Sequence, residues 1–419
     1  MIASLLYYRK FVKSLTDVGF EMNPYDPCVA NKMIEGTQMT ICFHVNDCKL
    51  SHRRSEVVDQ MIDYLREKYE TIFEDGSGEM TVSRGKVHKY LGMQLDYTVS
   101  GQVKISMFDF VDEILAAYDK ADPKGAGTKT SAAPSDLFKV DEDCEKLSPA
   151  KAVQFHNLVA KTLFATKRAR PDTCTAIAFL QTRVREPDND DWRKLSHLMK
   201  YIRGTRLLPL VLSANGTGIL KWWIDAAFAV HPNMRGHSGG GLSMGRGFPI
   251  VSSTKQKLNT RSSTEAEIVG VDDFMPAVCW TRYFMEAQGY PINDNIVFQD
   301  NKSSMLLEKN GKASSSKRTK HISIRYFFIT DHIEKGEVSL KWCPTGDMTG
   351  DYASKPLQGA LFKDFRDQMM GATSAKDPGE GKTPKSKLVK VGTKPKKAVA
   401  PQECVVANAR SARGASKNG

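Results

Sequence analysis

A carboxylate stands in the middle of an apolar, strand-like run, KWWIDAAFAV (221–230). Burying a lone charge in such a strand is expensive unless a counter-charge or a metal ion meets it. Any fold for this chain must therefore deliver a partner to Asp225. Three further acids occupy positions from which a sheet-and-helix domain can do so. Asp300 closes the strand-like NIVFQD, at the carboxyl edge where ligand sites of open sheets gather. Asp351 lies in GDYASKP, on a short helix near the end of the patterned sequence. The fourth comes from RSSTEAEIVG, where capping separates two glutamates. Ser262-x-x-Glu265 is a capping box, which gives Glu265 a structural role at a helix start. Glu267 lies past the cap, beside the apolar stripe Ile268, Val271, Met275 and Val278, and is the better inward-facing candidate.

The surrounding pattern is mixed α and β. Helical spacing over 4–18 stops at Gly19, followed by strand-like runs at about 27–33 and 37–45, a hairpin, and a helix at about 55–69. A β pair at about 87–97 and 102–106 precedes the helical FDFVDEILAAYDK, and 122–146 reads as a linker. Three helices are expected between about 148 and 204. From 216 the rhythm changes to β segments at about 218–229, 238–244 and 248–253. A long helix at 262–286 follows, then alternating strands and helices to 370. Strands first and alternation afterwards predict one mixed sheet flanked by helices. The glycine-rich GGGLSMGRG lacks a P-loop lysine and reads as meander turns.

Composition adds limits. The chain has 419 residues, enough for two or three domains, and a formal charge of +12. From residue 371 onward, 11 Lys and Arg face 3 Asp and Glu, so the tail carries +8 of that excess. Being rich in Lys, Pro, Gly, Ala and Ser, it is expected to be disordered, and its basic run KTPKSKLVKVGTKPKK suits a nuclear-localisation or nucleic-acid arm or plain solvated charge. The eight cysteines form no C-x-x-C pair and read as reduced thiols. No apolar run approaches 18 residues and no signal-peptide pattern opens the chain, so a soluble protein of the cytoplasm or nucleus, with no membrane partner, is expected. Four oxygen ligands without His or Cys suit Mg²⁺ or Mn²⁺ rather than zinc.

The segments WWIDAAFAVH, SSTKQKLNTRSSTEAEIVGVDD, FQDNKSSMLL, KRTKHISIRYFFITDHIEKGEV and TGDMTGDYASKPL resemble, in order, the ribonuclease H region of copia-type LTR retrotransposon polyproteins. Upstream, GFEMNPYDPCVANK, CFHVNDCKLS, KYLGMQLDY, KRARPDTCTAIAFLQTRVREP and LMKYIRGT resemble the reverse transcriptase palm, thumb and connection of the same polyprotein. The resemblance covers about residues 1–370. It implies an α+β and α/β multidomain chain: a truncated palm and thumb over 1–120, a linker and helical connection over 121–214, a ribonuclease H-like mixed five-stranded sheet with flanking helices over 215–370, and the basic tail from 371. It also implies Mg²⁺-dependent hydrolysis of RNA in RNA–DNA hybrids, with Asp225, Glu267, Asp300 and Asp351 as metal-binding catalytic residues. Gly350 stands where the family more often has alanine, a difference expected to cost about 1 kcal/mol of helix stability.

At the hairpin CFHVNDCKLSH (42–52) the family pattern is an aromatic residue, any residue, then Asp-Asp; here it reads His44, Val45, Asn46, Asp47. A neutral amide at Asn46 removes a negative charge from a two-metal polymerase site. The resemblance also implies that the sequence opens at the palm helix, so the strand that bears the other acid is expected to be missing. A remnant polymerase site is therefore expected at Asn46 and Asp47, within a sheet that exposes an unpaired edge. Residues 1–120 are expected to be less stable than 215–370. Lys317, Arg318, Lys320 and His321 form either a contact to the hybrid's phosphates or a solvated basic face. Trp222 and Trp223 read as packing residues. The competing readings are a non-catalytic nucleic-acid-binding relic and a pseudogene product that does not fold.

Overall fold

Gly19 takes φ +84° and ends helix α1 (Ile2–Asp17), with the amides of Gly19 and Phe20 closing onto the carbonyls of Thr16 and Leu15, so the predicted C-cap is present. The computed structural model describes residues 2–70, 78–122, 127, 130–311, 323–378 and 403–409. Among these, eleven α-helices and three sheets form two compact units. One unit comprises residues 1–103, 283–290 and 387–419, the other 104–282 and 291–386.

In the first unit, β1 (Glu21–Asn23), β2 (Asp26–Ile34), β3 (Thr37–His44) and β4 (Asp47–His52) pair in sequence order and antiparallel. After α2 (Ser55–Tyr69) come β5 (Met80–Ser83) and a hairpin of β6 (Val87–Tyr90) with β7 (Met93–Asp96). Strand β3 buries alternate residues Met39, Ile41 and Phe43, as a sheet with one covered face requires. They meet Phe11 and Leu15 of α1 and Val58, Ile62 and Leu65 of α2 in one core.

Among its described residues the tail departs from its expected disorder: Ser374 bridges to Arg246, Lys376 pairs with Asp364 and Asp377 with Lys221, and a strand forms further on. Residues Glu403–Ala409 form a strand between β4 and β5, antiparallel to both, and so cover the edge predicted to stay unpaired. Overall composition hid it: within a Lys/Pro-rich tail, CVVA (404–407) is a short β-branched and small run that a sheet lane selects.

The second unit begins with β8 (Val103–Ser106) and the helices α3 (Phe108–Ala121), α4 (Pro149–Thr166), α5 (Cys174–Gln181) and α6 (Asn189–Gly204). Then come β9 (Leu210–Ala214), β10 (Ile219–Ala227), β11 (His237–Ser243), β12 (Gly245–Arg246) and β13 (Ile250–Lys255). Next are α7 (Ser263–Ala287), β14 (Asp294–Gln299), α8 (Lys302–Asn310), α9 (Ser323–Glu334), β15 (Ser339–Trp342), α10 (Asp351–Ser354) and α11 (Gly359–Met369). The sheet runs β13-β11-β10-β14-β15; β10 is antiparallel to β11 and parallel to β14, so it is mixed and five-stranded, as expected. Trp222 and Trp223 are fully buried in it, in keeping with packing roles.

Helices α3 to α6 fall in the same compact unit as this sheet. The reason is a shared core: Phe155, Phe179, Trp192 and Tyr201 join Trp223, Phe248, Tyr352 and Phe362 in one cluster. A buried polar bolt reinforces it. Arg170 pairs with Asp172 at 2.8 Å, Tyr201 donates to Asp172 at 2.8 Å, and Tyr352 of α10 donates to the Asp172 carbonyl at 2.8 Å.

Of the glycine-rich run, Gly245 and Gly247 take the positive φ of turns, whereas its first three glycines belong to the β segment expected at 238–244. Gly239, Gly240 and Gly241 lie inside β11, fully buried. A Cβ on Gly239 would sit 2.2 Å from the Ala353 carbonyl carbon, and one on Gly240 would sit 2.5 Å from the Trp223 carbonyl oxygen. Gly239 gives α10 a bare backbone to rest on, while Gly240 and Gly241 admit close approach of β10, Phe274, Phe248 and β13. Gly350 serves the same approach from the other side: it is the N-cap of α10, not a helix-interior residue, and a Cβ there would press to 3.0 Å of the Trp223 backbone. The cost assigned to its helical propensity therefore does not apply. Gly239→Ala is expected to destabilise the second unit by about 2–3 kcal/mol; a urea midpoint equal to wild type would show that α10 does not need the bare backbone.

Candidate metal centre

The strand, the long helix and the next strand each deliver one acid to the same point. Asp225 enters from the centre of β10, opposite Gly239 of β11. Glu267 comes from the first turns of α7, and Asp300 from the carboxyl end of β14. One oxygen from each of the three lies within 4.8 Å of the others. Asp225 and Glu267 are buried, and Asp300 is half-buried. Capping separates the two glutamates as anticipated: the Glu265 amide donates to Ser262 Oγ at 3.2 Å, and its carboxylate accepts from the Arg261 amide at 2.7 Å. Glu265 is used at the helix start, and Glu267 faces the acids.

Asp351 begins α10 and is joined to this group through a lysine that the sequence reading did not single out. Lys355 Nζ lies 2.8 Å from Asp351 Oδ1 and 3.2 Å from Asp225 Oδ2. Ser354 Oγ also donates to Asp225. The missed signal was spacing: Ser354 and Lys355 follow Asp351 by three and four residues, the separation that places side chains on one helical face. Asp300 is oriented by Thr345, whose Oγ1 donates to Oδ2 at 3.0 Å.

Electrostatics show how crowded the group is. Burial first, then the Asp225 and Asp300 charges, push the Glu267 carboxyl well above its ordinary range, against the pull of Lys355 and a backbone hydrogen bond from Ala226. Burial and the Asp225 charge raise Asp351 to about 7, with Lys355 opposing. Burial lowers the affinity of Lys355 for its proton, but Asp225 and Asp351 more than reverse that and raise it. A cluster of acids short of positive charge, built wholly of oxygen donors, fits a hard divalent cation. Clustered negative charge is the natural partner of such an ion and is poorly tolerated without one.

The other predicted residues lie elsewhere. Asn46 and Asp47 are at the β3–β4 hairpin, but the turn is Val45-Asn46, and Asp47 is the first residue of β4, paired with His44. Val45 takes φ +53°, an unusual backbone for a β-branched residue. Among the described residues, no set of three metal-ligating side chains forms about Asp47. Lys317, Arg318, Lys320 and His321 lie outside the described residues.

Comparison with known proteins follows the same line. The chain is 23% identical over 365 residues to the retrovirus-related Pol polyprotein from transposon TNT 1-94 of Nicotiana tabacum, an alignment covering 85% of this chain and 26% of the relative. It is 29% identical over 198 residues to the Pol polyprotein from transposon RE2 of Arabidopsis thaliana, covering 47% of this chain and 14% of the relative. Against the transposon Ty1-MR1 Gag-Pol polyprotein of Saccharomyces cerevisiae it is 21% identical over 343 residues, 79% of this chain and 19% of the relative. Its homologues are copia- and Ty1-type retrotransposon Pol polyproteins at low identity. That supports descent from a retroelement polyprotein. The chain spans about a quarter or less of the length of these relatives. No protein-family model and no solved structure matches it. No helix among the described residues is long and apolar enough to cross a membrane.

The raised Asp351 carboxyl has a consequence for stability. An unfolded Asp releases its proton near 3.9, whereas the folded one holds it to about 7. Between those values the folded state binds the extra proton, so stability is greatest at low pH and falls as pH rises through 7. Without divalent cation, Asp351→Asn is expected to remove this loss, gaining about 1–3 kcal/mol over wild type at pH 8 relative to pH 4. Parallel denaturation curves for the two proteins across that range would contradict it.

Proposed function

We propose that the second unit is a ribonuclease H-like nuclease that hydrolyses the RNA strand of RNA–DNA hybrids, with Mg²⁺ or Mn²⁺ held by Asp225, Glu267, Asp300 and Asp351. The observation that carries this reading is the approach of Asp225, Glu267 and Asp300 to within 4.8 Å from three separate elements of a mixed sheet, with Asp351 one lysine away. Similarity to retrotransposon Pol polyproteins supports the substrate class. Divalent ions bound at such a site supply an activated water and steady the leaving oxygen of a phosphodiester. The chain's own residues do the rest. Asp225 is fixed by Ser354 and Lys355, Asp300 by Thr345, and the two strands and the helix hold the carboxylates at a spacing that leaves room for an ion. Cleavage would leave a 3′-hydroxyl, and preference for RNA would rest on contacts to 2′-hydroxyls in the minor groove. Lys317, Arg318, Lys320 and His321 are proposed to contact the hybrid's phosphates.

For the first unit we propose that polymerase activity is lost. Asn46 offers a neutral oxygen where charge is needed, and Asp47 has no ligand cluster around it among the described residues.

A second reading has one observation in its favour. Lys355 already bridges Asp225 and Asp351, so part of the negative charge is met without any ion. On that reading the chain is a non-catalytic nucleic-acid-binding relic. Incubating the protein with an end-labelled RNA–DNA hybrid and Mg²⁺ separates the two. The nuclease reading expects RNA cleavage that falls at least about 100-fold in Asp225→Asn, the scale of losing an electrostatic catalytic group. Hybrid binding without cleavage, unchanged by that substitution, decides for the relic.

A further inference from the structure

Every strand of the first sheet except one comes from residues 21–83, and the exception is an interior strand, next to the edge strand β5. Strand β16 (Glu403–Ala409) occupies the lane between β4 and β5. It pairs with β4 from Glu403 opposite His52 to Asn408 opposite Asp47. On its other edge it pairs with β5 from Val406 opposite Ser83 to Ala409 opposite Met80. Both its edges are thus laddered to strands that are remote from it in sequence. Its centre is buried on both faces, with Val405, Val406 and Ala407 each at 1% exposure or less. Val405 and Ala407 belong to the core that Phe11, Val58, Leu65 and Met80 build. This is the pattern of a central strand, not of a tail resting on an edge.

The lane makes strong demands on whatever fills it. Neighbouring strands lie about 4.8 Å apart, so β4 and β5 flank a gap of about 10 Å, too wide for them to pair directly. With the lane empty, the amides and carbonyls of β4 and β5 that face it would be unmet, and the α1–α2 core would open along one side. The occupant must be extended, free of proline over the paired residues, and small or β-branched where it meets the core. CVVA (404–407) meets those terms, and Pro401 lies outside the paired stretch. The segment belongs to the same chain as the lane it fills. That connection makes docking intramolecular, so modest intrinsic affinity suffices.

We propose that the lane between β4 and β5 is a strand-acceptor site, and that its ligand is the chain's own segment Glu403–Ala409, docking as a separable element on which the integrity of the first sheet depends. The proposal is independent of the nuclease reading, since it concerns other residues and a different unit.

The test is amide hydrogen exchange on the full chain carrying Val406→Asp, beside Val406→Ile and wild type. A charge at a position buried on both faces cannot stay in the lane. The expected result is exchange at least tenfold faster over 47–52 and 80–83 in Val406→Asp, with 219–227 unchanged and Val406→Ile like wild type. Unchanged protection over 47–52 and 80–83 in Val406→Asp overturns the proposal. Should that variant not fold, a chain cut by a protease site placed between 390 and 400 decides the matter. Saturable uptake of a labelled 401–410 peptide, at least tenfold weaker for the Val406→Asp peptide, supports it. Absence of uptake, or equal uptake of both peptides, overturns it.

Discussion

Mutual repulsion among buried carboxylates is the constraint that the second unit is built to withstand. Two unit charges about 5 Å apart at the effective dielectric of a partly buried site cost about 3 kcal/mol. Asp225, Glu267 and Asp300 form three such pairs, and Asp351 adds to them through the bridge of Lys355. A fold that tolerates this must hold each acid on a rigid element. It does: one on a central strand, one on a 25-residue helix, one at a strand end and one on a four-residue helix. Lys355 relieves part of the repulsion. The raised carboxyls of Glu267 and Asp351 show that it does not relieve all of it.

The weakest of those supports is α10, which is too short to be stable by itself. Two features hold it. Gly239 of β11 lets its backbone lie directly on the sheet, and Tyr352 ties it to the Arg170–Asp172 pair between α4 and α5, where Thr175 Oγ1 also donates to the Tyr352 carbonyl at 2.6 Å. The helices that precede the sheet in sequence are therefore part of the machinery that places Asp351 and Lys355. This explains why they share a core and a unit with the sheet rather than forming a separate connection.

What could be seen in the sequence followed from local rules. The lone carboxylate in KWWIDAAFAV, the strand-end Asp300 and the choice of Glu267 over Glu265 each rest on burial, alternation or capping, which operate over a few residues. The mixed sheet and most helix limits followed the same periodicities, while the count of five strands was implied by the resemblance. The features that escaped depend on contacts between distant segments. Three successive glycines inside the expected 238–244 strand have no local explanation, and only the approach of α10 to Gly239 and of neighbouring strands and rings to Gly240 and Gly241 shows why the strand needs them. Lys355 drew no notice because nothing near it in sequence marks Asp225 as its partner. The strand at 403–409 was lost inside a tail whose average composition is polar and basic, since its partners are more than 300 residues away.

The central claim is that the converging acids form a divalent-cation site. Mn²⁺ titration followed by electron paramagnetic resonance tests it most directly, because bound and free ions are distinguished without any assay of activity. The account predicts saturable binding by the wild-type protein at sub-millimolar to millimolar Mn²⁺, competed by Mg²⁺, and weakened at least about tenfold in Asp225→Asn, the loss of one charged ligand worth about 1.4 kcal/mol or more. Binding of equal strength in Asp225→Asn, or no saturable binding by wild type over that range, would contradict it.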